Sequence, residues 1–147
     1  MIDSVDKKIL NMLMQSGRVS YTDIAKAVDM KPPSVIDRIK KLESEGIIKG
    51  YTADIDYQKL GYDIFAFIGL TVDNASQVEQ LETGIKEIEG IIGCYHVTGD
   101  FSLIVKLITE STNSLADIIK KLRAIEGVAK TNTILIFSTM LERRRSI

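Results

Sequence analysis

Near the end of the first third of the sequence, four polar side chains are related by spacings of three and four residues, so an α-helix would carry them on one face. They are Ser34, Asp37, Arg38 and Lys41. Hydroxyl, carboxylate and cationic groups contact base edges and phosphates, and an arginine fork makes bidentate contacts with guanine or phosphate. The helix is therefore predicted to contact DNA, with Arg38 as its leading contact; the alternative for this segment alone is a solvated helix face.

Residues that could support catalysis or bind a metal are few. His96 is the only histidine and Cys94 the only cysteine among the 147 residues. A lone histidine in a strand is more often a packed or surface residue than a ligand, and no base is identifiable beside Cys94. The sequence predicts no catalytic residue, no metal site and no cofactor.

Three short helices and a strand-like stretch would position the candidate DNA-contacting residues. Asp3 is a plausible cap for the first helix, Ser20 for the second, and Pro32 fits the first turn of the third. Gly46 ends the third helix, and residues 47–53 have the pattern of a strand. This order predicts a winged helix-turn-helix domain over residues 1–50, with residues 51–61 as a linker strand or hinge.

The remainder, residues 62–147, contains a degenerate repeat. Residues 88–91 read Ile-Glu-Gly-Ile and residues 125–128 read Ile-Glu-Gly-Val, each after a stretch with helical apolar spacing. With strands at about 62–73 and 101–109, the order is strand, helix, strand, twice over. The fold class is therefore α+β, with a ferredoxin-like βαββαβ domain built on an antiparallel sheet.

The strands of this sheet are apolar on both faces. Ala66 and Ile68 would point one way while Phe65 and Phe67 point the other, yet both helices of such a domain pack on the same face. An uncovered apolar face is an aggregation hazard, and a second copy of the chain is the simplest cover. The pattern predicts a dimer.

Charge and composition narrow the class of protein. The net charge is −1, but residues 1–50 carry nine Lys/Arg against seven Asp/Glu, while residues 51–147 carry ten against thirteen. No apolar run approaches the roughly 20 residues of a membrane span, and the N-terminus lacks the pattern of a secretory signal. We therefore expect a cytoplasmic protein with no membrane partner, in which a local patch contacts double-stranded DNA.

Together these features resemble the Lrp/AsnC, or feast/famine, family of transcriptional regulators over nearly the whole chain. The matching stretches are residues 3–10, 17–20, 24–25, 32–43, 46–51 and 97–101. The resemblance implies a ferredoxin-like domain that dimerises through its sheet, and dimers that assemble into tetramers or octamers. It also implies a small effector, usually an amino acid, bound near the loop Thr98-Gly99-Asp100-Phe101, with hydroxyls added by Thr131 and Thr133.

The list of predicted DNA contacts also includes three cations outside the polar face of the third helix. Arg18 and Lys49 would be peripheral phosphate contacts. Lys31 stands where the family usually has a serine cap, and we hypothesise that it meets a phosphate near the end of the helix. Ser102 replaces an acidic residue that is common in the family, and Asp29 replaces a glycine in the turn, where aspartate tolerates a left-handed backbone.

Two other functions remain open on the sequence alone. Sirohaem decarboxylases resemble the family in both domains, and such an enzyme would use His96 on a tetrapyrrole. An architectural protein would bind DNA with little sequence preference and without an effector. The leading interpretation is a sequence-specific regulator whose assembly or DNA binding is modulated by a small effector.

Overall fold

The computed structural model describes residues 1–74, 78–143 and 145–147 and divides the chain into two compact units. One comprises Met1–Asp54 together with Leu141–Ile147, and the other comprises Ile55–Met140. The first unit is helical and the second contains a four-stranded antiparallel sheet with two helices. The α+β fold class predicted from the sequence is confirmed.

The first unit is built from α1 (Ser4–Gln15), α2 (Tyr21–Ala27) and α3 (Pro32–Ser44). Each helix contributes one apolar stripe to a common core, as the 3.6-residue spacing predicted. The buried members of this core are Ile9, Ile24, Ala25, Val35 and Ile39. Among the described residues, no helix is long and apolar enough to cross a membrane.

The segment after α3 differs from its prediction. Residues 47–53 form no strand, and the only regular element between α3 and the sheet is a short 3-10 helix, Gln58–Leu60. A strand needs a hydrogen-bonded neighbour, and none pairs with this stretch within the part of the chain that the structure describes. The predicted linker strand in residues 51–61 is likewise absent.

The C-terminal residues also depart from the predicted boundary at 62–147. Leu141–Ile147 belong to the first unit rather than to the sheet domain. The Asn11 carboxamide on α1 accepts a hydrogen bond from the Ile147 N–H (2.9 Å) and donates one to the Ile147 carbonyl (2.5 Å). This reciprocal pair holds Ile147 beside α1.

The second unit follows the predicted order of elements. It contains β1 (Ile64–Val72), α4 (Val78–Lys86), β2 (Ile91–His96), β3 (Leu103–Thr109), α5 (Thr112–Ala124) and β4 (Val128–Leu135). The strands lie in the order β2-β3-β1-β4, and every neighbouring pair is antiparallel. This is the ferredoxin-like topology expected from the repeat.

The two faces of the sheet differ in burial. On one face, Ala66, Ile68 and Leu70 of β1 are completely buried in a core that includes residues of α4 and α5. On the other face, Phe65 and Phe67 are only half-buried. The alternation predicted for β1 is confirmed, and one apolar face remains partly open in the single chain.

Candidate nucleic-acid interface and effector loop

The turn between α2 and α3 fixes where α3 begins. Asp29 has a φ of +54°, in the left-handed region, and the N–H of Met30 donates to the carbonyl of Ala25 (2.9 Å). This six-to-one hydrogen bond around a left-handed residue is a Schellman cap, and Met30 packs against the core beside it. The expectation that aspartate would preserve this turn is confirmed.

Helix α3 presents a polar face to solvent. Val35, Ile39 and Leu42 are buried, and Lys31 at the N-cap makes no side-chain capping hydrogen bond, as the sequence indicated. Of the predicted DNA contacts, all but Arg38 are exposed in the structure. The exposed ones are Lys31, Ser34, Asp37, Lys41, Arg18 and Lys49.

Arg38 occupies a different environment from the one predicted. Its Nη1 atom donates to Oδ2 of Asp3 (2.7 Å) and to Oδ1 of Asp6 (2.8 Å), at the start of α1. Its side chain is 31% exposed and that of Asp6 only 12%. Arg38 borders the buried stripe of α3, and its guanidinium reaches α1 while part of the side chain stays exposed. In this structure the predicted leading DNA contact is already paired with two carboxylates, so its contact with DNA stays a prediction.

The two carboxylates also cap α1. The N–H of Asp6 donates to Asp3, and the N–H of Asp3 donates to Asp6, which completes a capping box. Each carboxylate therefore uses one oxygen for the box and the other for Arg38. We call Asp3, Asp6 and Arg38 the α1–α3 clamp.

Electrostatics keep the clamp charged. The backbone hydrogen bond from Asp6, followed by the hydrogen bond from Arg38, lowers the pKa of Asp3 from 3.8 to about 2. Hydrogen bonds to Asp6 and then Asp3 raise the pKa of Arg38 above its usual value. The hydrogen bonds from Arg38 join the start of α1 to α3, whereas the backbone hydrogen bond that most lowers the pKa of Asp3 lies within α1.

Lys40 is exposed on the same helix but was not among the predicted DNA contacts. Its position between Asp37 and Lys41 in the helical repeat was the available signal. Lys41 lies 3.9 Å from Glu45 in a loose, solvent-exposed pair. Pairs of this kind are weak enough for a lysine to exchange its partner for a phosphate.

Tyr51 holds the segment after α3 against that helix. Its hydroxyl donates to Oε1 of Glu43 (2.9 Å). Burial first, and then the hydrogen bond and charge of Glu43, raise the pKa of Tyr51 from 10.0 to about 12. Gly46, with a φ of +70°, ends α3 and lets the Ile47 N–H donate to the Leu42 carbonyl (3.0 Å). Lys49 is thereby kept near the end of the helix.

The predicted effector loop joins β2 to β3. Thr98, Gly99 and Asp100 are exposed, and Gly99 has a φ of +115° that side chains rarely adopt. The loop closes where the Val97 N–H donates to the Ser102 carbonyl (3.1 Å). A tight turn therefore presents one carboxylate and free glycine backbone to solvent.

Phe101 and Thr131 contact other parts of the sheet domain. A Cβ built on Gly69 would lie 2.7 Å from ring atoms of Phe101, so the ring covers that strand residue. Thr131, on β4, accepts a hydrogen bond from Nε of Arg123 (2.9 Å), which lies on α5. Thr133 is exposed on the same strand.

A second concave region lies between α4 and β2. This cavity of about 510 Å³ is lined in part by Glu82, Lys86, Cys94 and His96. Burial, and then the charge of Glu82, raise the pKa of the Cys94 thiol and keep it protonated at neutral pH. Within the described residues, no three His, Cys, Asp or Glu side chains group to hold a metal ion.

Comparisons with known proteins cover both units. A winged helix-turn-helix DNA-binding family matches residues 2–49, and the Lrp/AsnC ligand binding domain matches residues 65–146. An uncharacterized HTH-type transcriptional regulator of Pyrococcus abyssi is 33% identical over 142 residues, covering 97% of this chain and 96% of the relative. The regulatory protein AsnC of Haemophilus influenzae is 32% identical over 135 residues, covering 91% and 90%.

Solved structures agree along the full length. The structure of AsnC from E. coli has a TM-score of 0.94 at 27% identity and covers 100% of this chain and 99% of its own. A feast or famine regulatory protein from M. tuberculosis complexed with L-methionine has a TM-score of 0.91 at 26% identity, covering 99% and 98%. The matched families and named relatives are regulators, so the alternative of a sirohaem decarboxylase is set aside. The chain belongs to the Lrp/AsnC family of transcriptional regulators.

Proposed function

We propose that this chain is a cytoplasmic, sequence-specific DNA-binding regulator whose assembly or DNA binding is modulated by an amino acid. The observation that carries the DNA-binding part is the polar face of α3, held outward by a buried opposite face and by the α1–α3 clamp. A helix presented in this way fits the major groove. Arg38 then positions the helix instead of contacting a base.

The proposed DNA contacts fall into two groups. Ser34, Asp37 and Lys41 contact base edges or adjacent phosphates from the exposed face of α3, where Lys40 joins them. Phosphate contacts come from the three exposed cations at its margins, which are Lys31, Arg18 and Lys49. Of these three, Lys31 has the most structural support, because an N-cap without a side-chain acceptor leaves the backbone N–H groups at the helix start open to an anion.

Salt-dependent DNA binding tests these contacts. Lys31→Ala and Lys41→Ala should each weaken binding to the protein's own promoter and reduce the salt slope by about 0.9 per lost phosphate contact. Lys120→Ala, an exposed lysine on α5, is the matched control and should change neither quantity. Unchanged affinity and slope for Lys31→Ala would remove that residue from the interface. Equal affinity for promoter and random DNA would favour an architectural protein.

Self-association is proposed from the open face of the sheet. The half-buried or exposed apolar side chains on this face are Phe65, Phe67, Ile104, Ile108 and Ile134. Lys106 lies among them, with its Nζ 5.2 Å from the ring centroid of Phe65. We propose that two copies pack through this face, and that dimers assemble further into tetramers or octamers as the family resemblance implies. Ile104→Asp should produce monomers in sedimentation, whereas a monomeric wild-type chain at low micromolar concentration would overturn the proposal.

The proposed effector is an amino acid bound at the loop between β2 and β3. Gly99 lets backbone amides approach a carboxylate, and Asp100 supplies a partner for an ammonium group. The M. tuberculosis relative was solved with L-methionine, which supports this class of ligand. Phe101, Thr131 and Thr133 complete the proposed set of effector residues, in which Thr98 begins the loop.

A thermal-shift screen over the twenty amino acids tests the effector proposal. A ligand present at about 100 times its dissociation constant should add roughly 2.7 kcal/mol to the free energy of unfolding. Asp100→Asn should abolish the shift because it removes the charge that pairs with the ammonium group. A screen with no stabilising amino acid would overturn this part and leave the DNA-binding proposal standing.

A further inference from the structure

Gly69 lies in the middle of β1, and its backbone is buried. Its neighbours Ile68 and Leu70 point into the helix-covered core, so a side chain at residue 69 would point to the open face. There, a Cβ would lie 2.7 Å from three ring atoms of Phe101, closer than real Cβ contacts come. The ring of Phe101 therefore rests directly on the backbone of Gly69.

Phe101 also belongs to the loop between β2 and β3. It directly follows Gly99 and Asp100, which are exposed. The next residue is fixed, because the Ser102 N–H donates to the carbonyl of Leu70 (2.9 Å). The ring thus lies at the junction between an open turn and a hydrogen-bonded strand.

We call the backbone of Gly69, on which the Phe101 ring rests, the seat of the ring. This seat lies on the apolar face of the sheet. Gly69 pairs in register with Ile104 of β3, and Phe67 pairs with Lys106. Ile104 and Phe67 belong to the face through which we propose that two copies associate. Close-packed surfaces of this kind do not deform gradually, so a ring that leaves Gly69 changes the shape of the face in one step.

We propose that Phe101 is a positioning residue that transmits changes in the effector loop to the surface through which two copies associate. This inference rests on the proposed self-association. With the ring seated on Gly69, the face is continuous; with the ring displaced, the glycine backbone is exposed and the ring occupies space needed by the partner copy. Because linkage is reciprocal, association also favours the loop conformation that seats the ring.

A double-mutant cycle tests the coupling without knowledge of the ligand. Gly99→Ala perturbs the loop, because alanine disfavours a φ of +115°, and it introduces no clash, because nothing lies within 4 Å of its Cβ. Gly69→Ala displaces the ring from its seat. Fluorescence-detected sedimentation over a dilution series measures the dimer dissociation constant of both single variants and of the double variant.

We expect Gly69→Ala to weaken the dimer about tenfold or more, as overpacking of a close contact does. Gly99→Ala should also weaken it, and the double variant should match Gly69→Ala alone because the ring has already left its seat. Phe101→Leu, which removes the ring but keeps an apolar side chain, should likewise make the dimer insensitive to Gly99→Ala. Gly84→Ala on α4, where the added Cβ meets Ile125 at 3.2 Å, is the matched control and should leave the effect of Gly99→Ala intact.

The outcomes separate this inference from the proposed function. If Gly99→Ala has no effect on the wild-type dimer, or the same effect in the Gly69→Ala background, Phe101 does not transmit changes in the loop and the inference is overturned. If the wild-type chain dimerises in either of these two outcomes, the proposed self-association still stands. A wild-type chain that is monomeric throughout the series overturns both.

Discussion

Because of the α1–α3 clamp, we expect different effects from removing the charge of two cations on α3, Arg38 and Lys40. Arg38→Met removes the charge that pairs with Asp3 and Asp6 but keeps an apolar stem of similar length. Lys40→Met makes the same kind of change at an exposed position of α3. We expect the first variant to destabilise the first unit and the second to weaken DNA binding while leaving stability unchanged.

The magnitude follows from the burial of the partners. Exposed ion pairs contribute roughly 0.2–1 kcal/mol, whereas removing one partner from a buried pair costs about 3–5 kcal/mol. The Asp6 side chain is 12% exposed and that of Arg38 is 31% exposed, so their pair lies between these limits. We therefore expect Arg38→Met to lower the free energy of unfolding of the first unit by about 1–3 kcal/mol, and Lys40→Met to change it by less than about 0.5 kcal/mol.

Native-state hydrogen exchange resolves the two units of the full chain. Buried α1 and α3 amides, such as those of Ile9 and Ile39, should exchange about 5- to 150-fold faster in Arg38→Met, which is the rate equivalent of that free energy. Amides of β1 provide an internal reference that should not change. If exchange is unaltered while the salt slope of DNA binding falls by about 0.9, Arg38 contacts a phosphate in solution and the clamp does not hold α3.

Three further predictions concern single residues of the same unit. The pKa of Asp3 is lowered from 3.8 to about 2, so the stability it contributes is complete above pH 3.8 and is lost as the pH falls towards 2; NMR titration should show its pKa rising in Arg38→Met. The pKa of Tyr51 is raised from 10.0 to about 12, so its contribution is complete below pH 10 and is lost as the pH rises towards 12; ultraviolet titration of Tyr51→Phe should lack the step at highest pH. Gly46→Ala places a side chain at a φ of +70° and should cost about 1 kcal/mol in the same exchange experiment, and an unchanged free energy would contradict the strain argument.

Features that depend on local periodicity were predictable from the sequence. The apolar spacing of three and four residues located the helices, and alternation placed Ala66, Ile68 and Leu70 together on one side of β1, which the structure shows to be the buried side. The left-handed turn at Asp29 was also predictable because it depends on the chemistry of one residue. Such patterns work because a helix or strand repeats its own geometry regardless of what packs against it.

Features that depend on a distant partner were not predictable in this way. A helical repeat gives only the angle of a side chain around the helix axis, and on that basis Arg38 was assigned to the exposed face. Its angle lies near the boundary of the buried stripe, where a side chain can either reach solvent or pack against a neighbouring helix. Its partner Asp3 is 35 residues away, and the residues joined between α1 and the chain end, Asn11 and Ile147, are 136 apart. No repeat within one element specifies such a pair.

One distant contact, between Gly69 and Phe101, has a local signal in the sequence. A glycine inside an apolar strand weakens that strand, so its presence points to a close approach by another group. Gly69 interrupts the run from Ile64 to Val72, and the group that approaches is the ring of Phe101. The sequence thus indicates that a group covers Gly69 but does not identify that group, because any large side chain could cover a bare strand backbone. Only the fold brings the loop after β2 over this position, so no motif in the loop reveals Gly69.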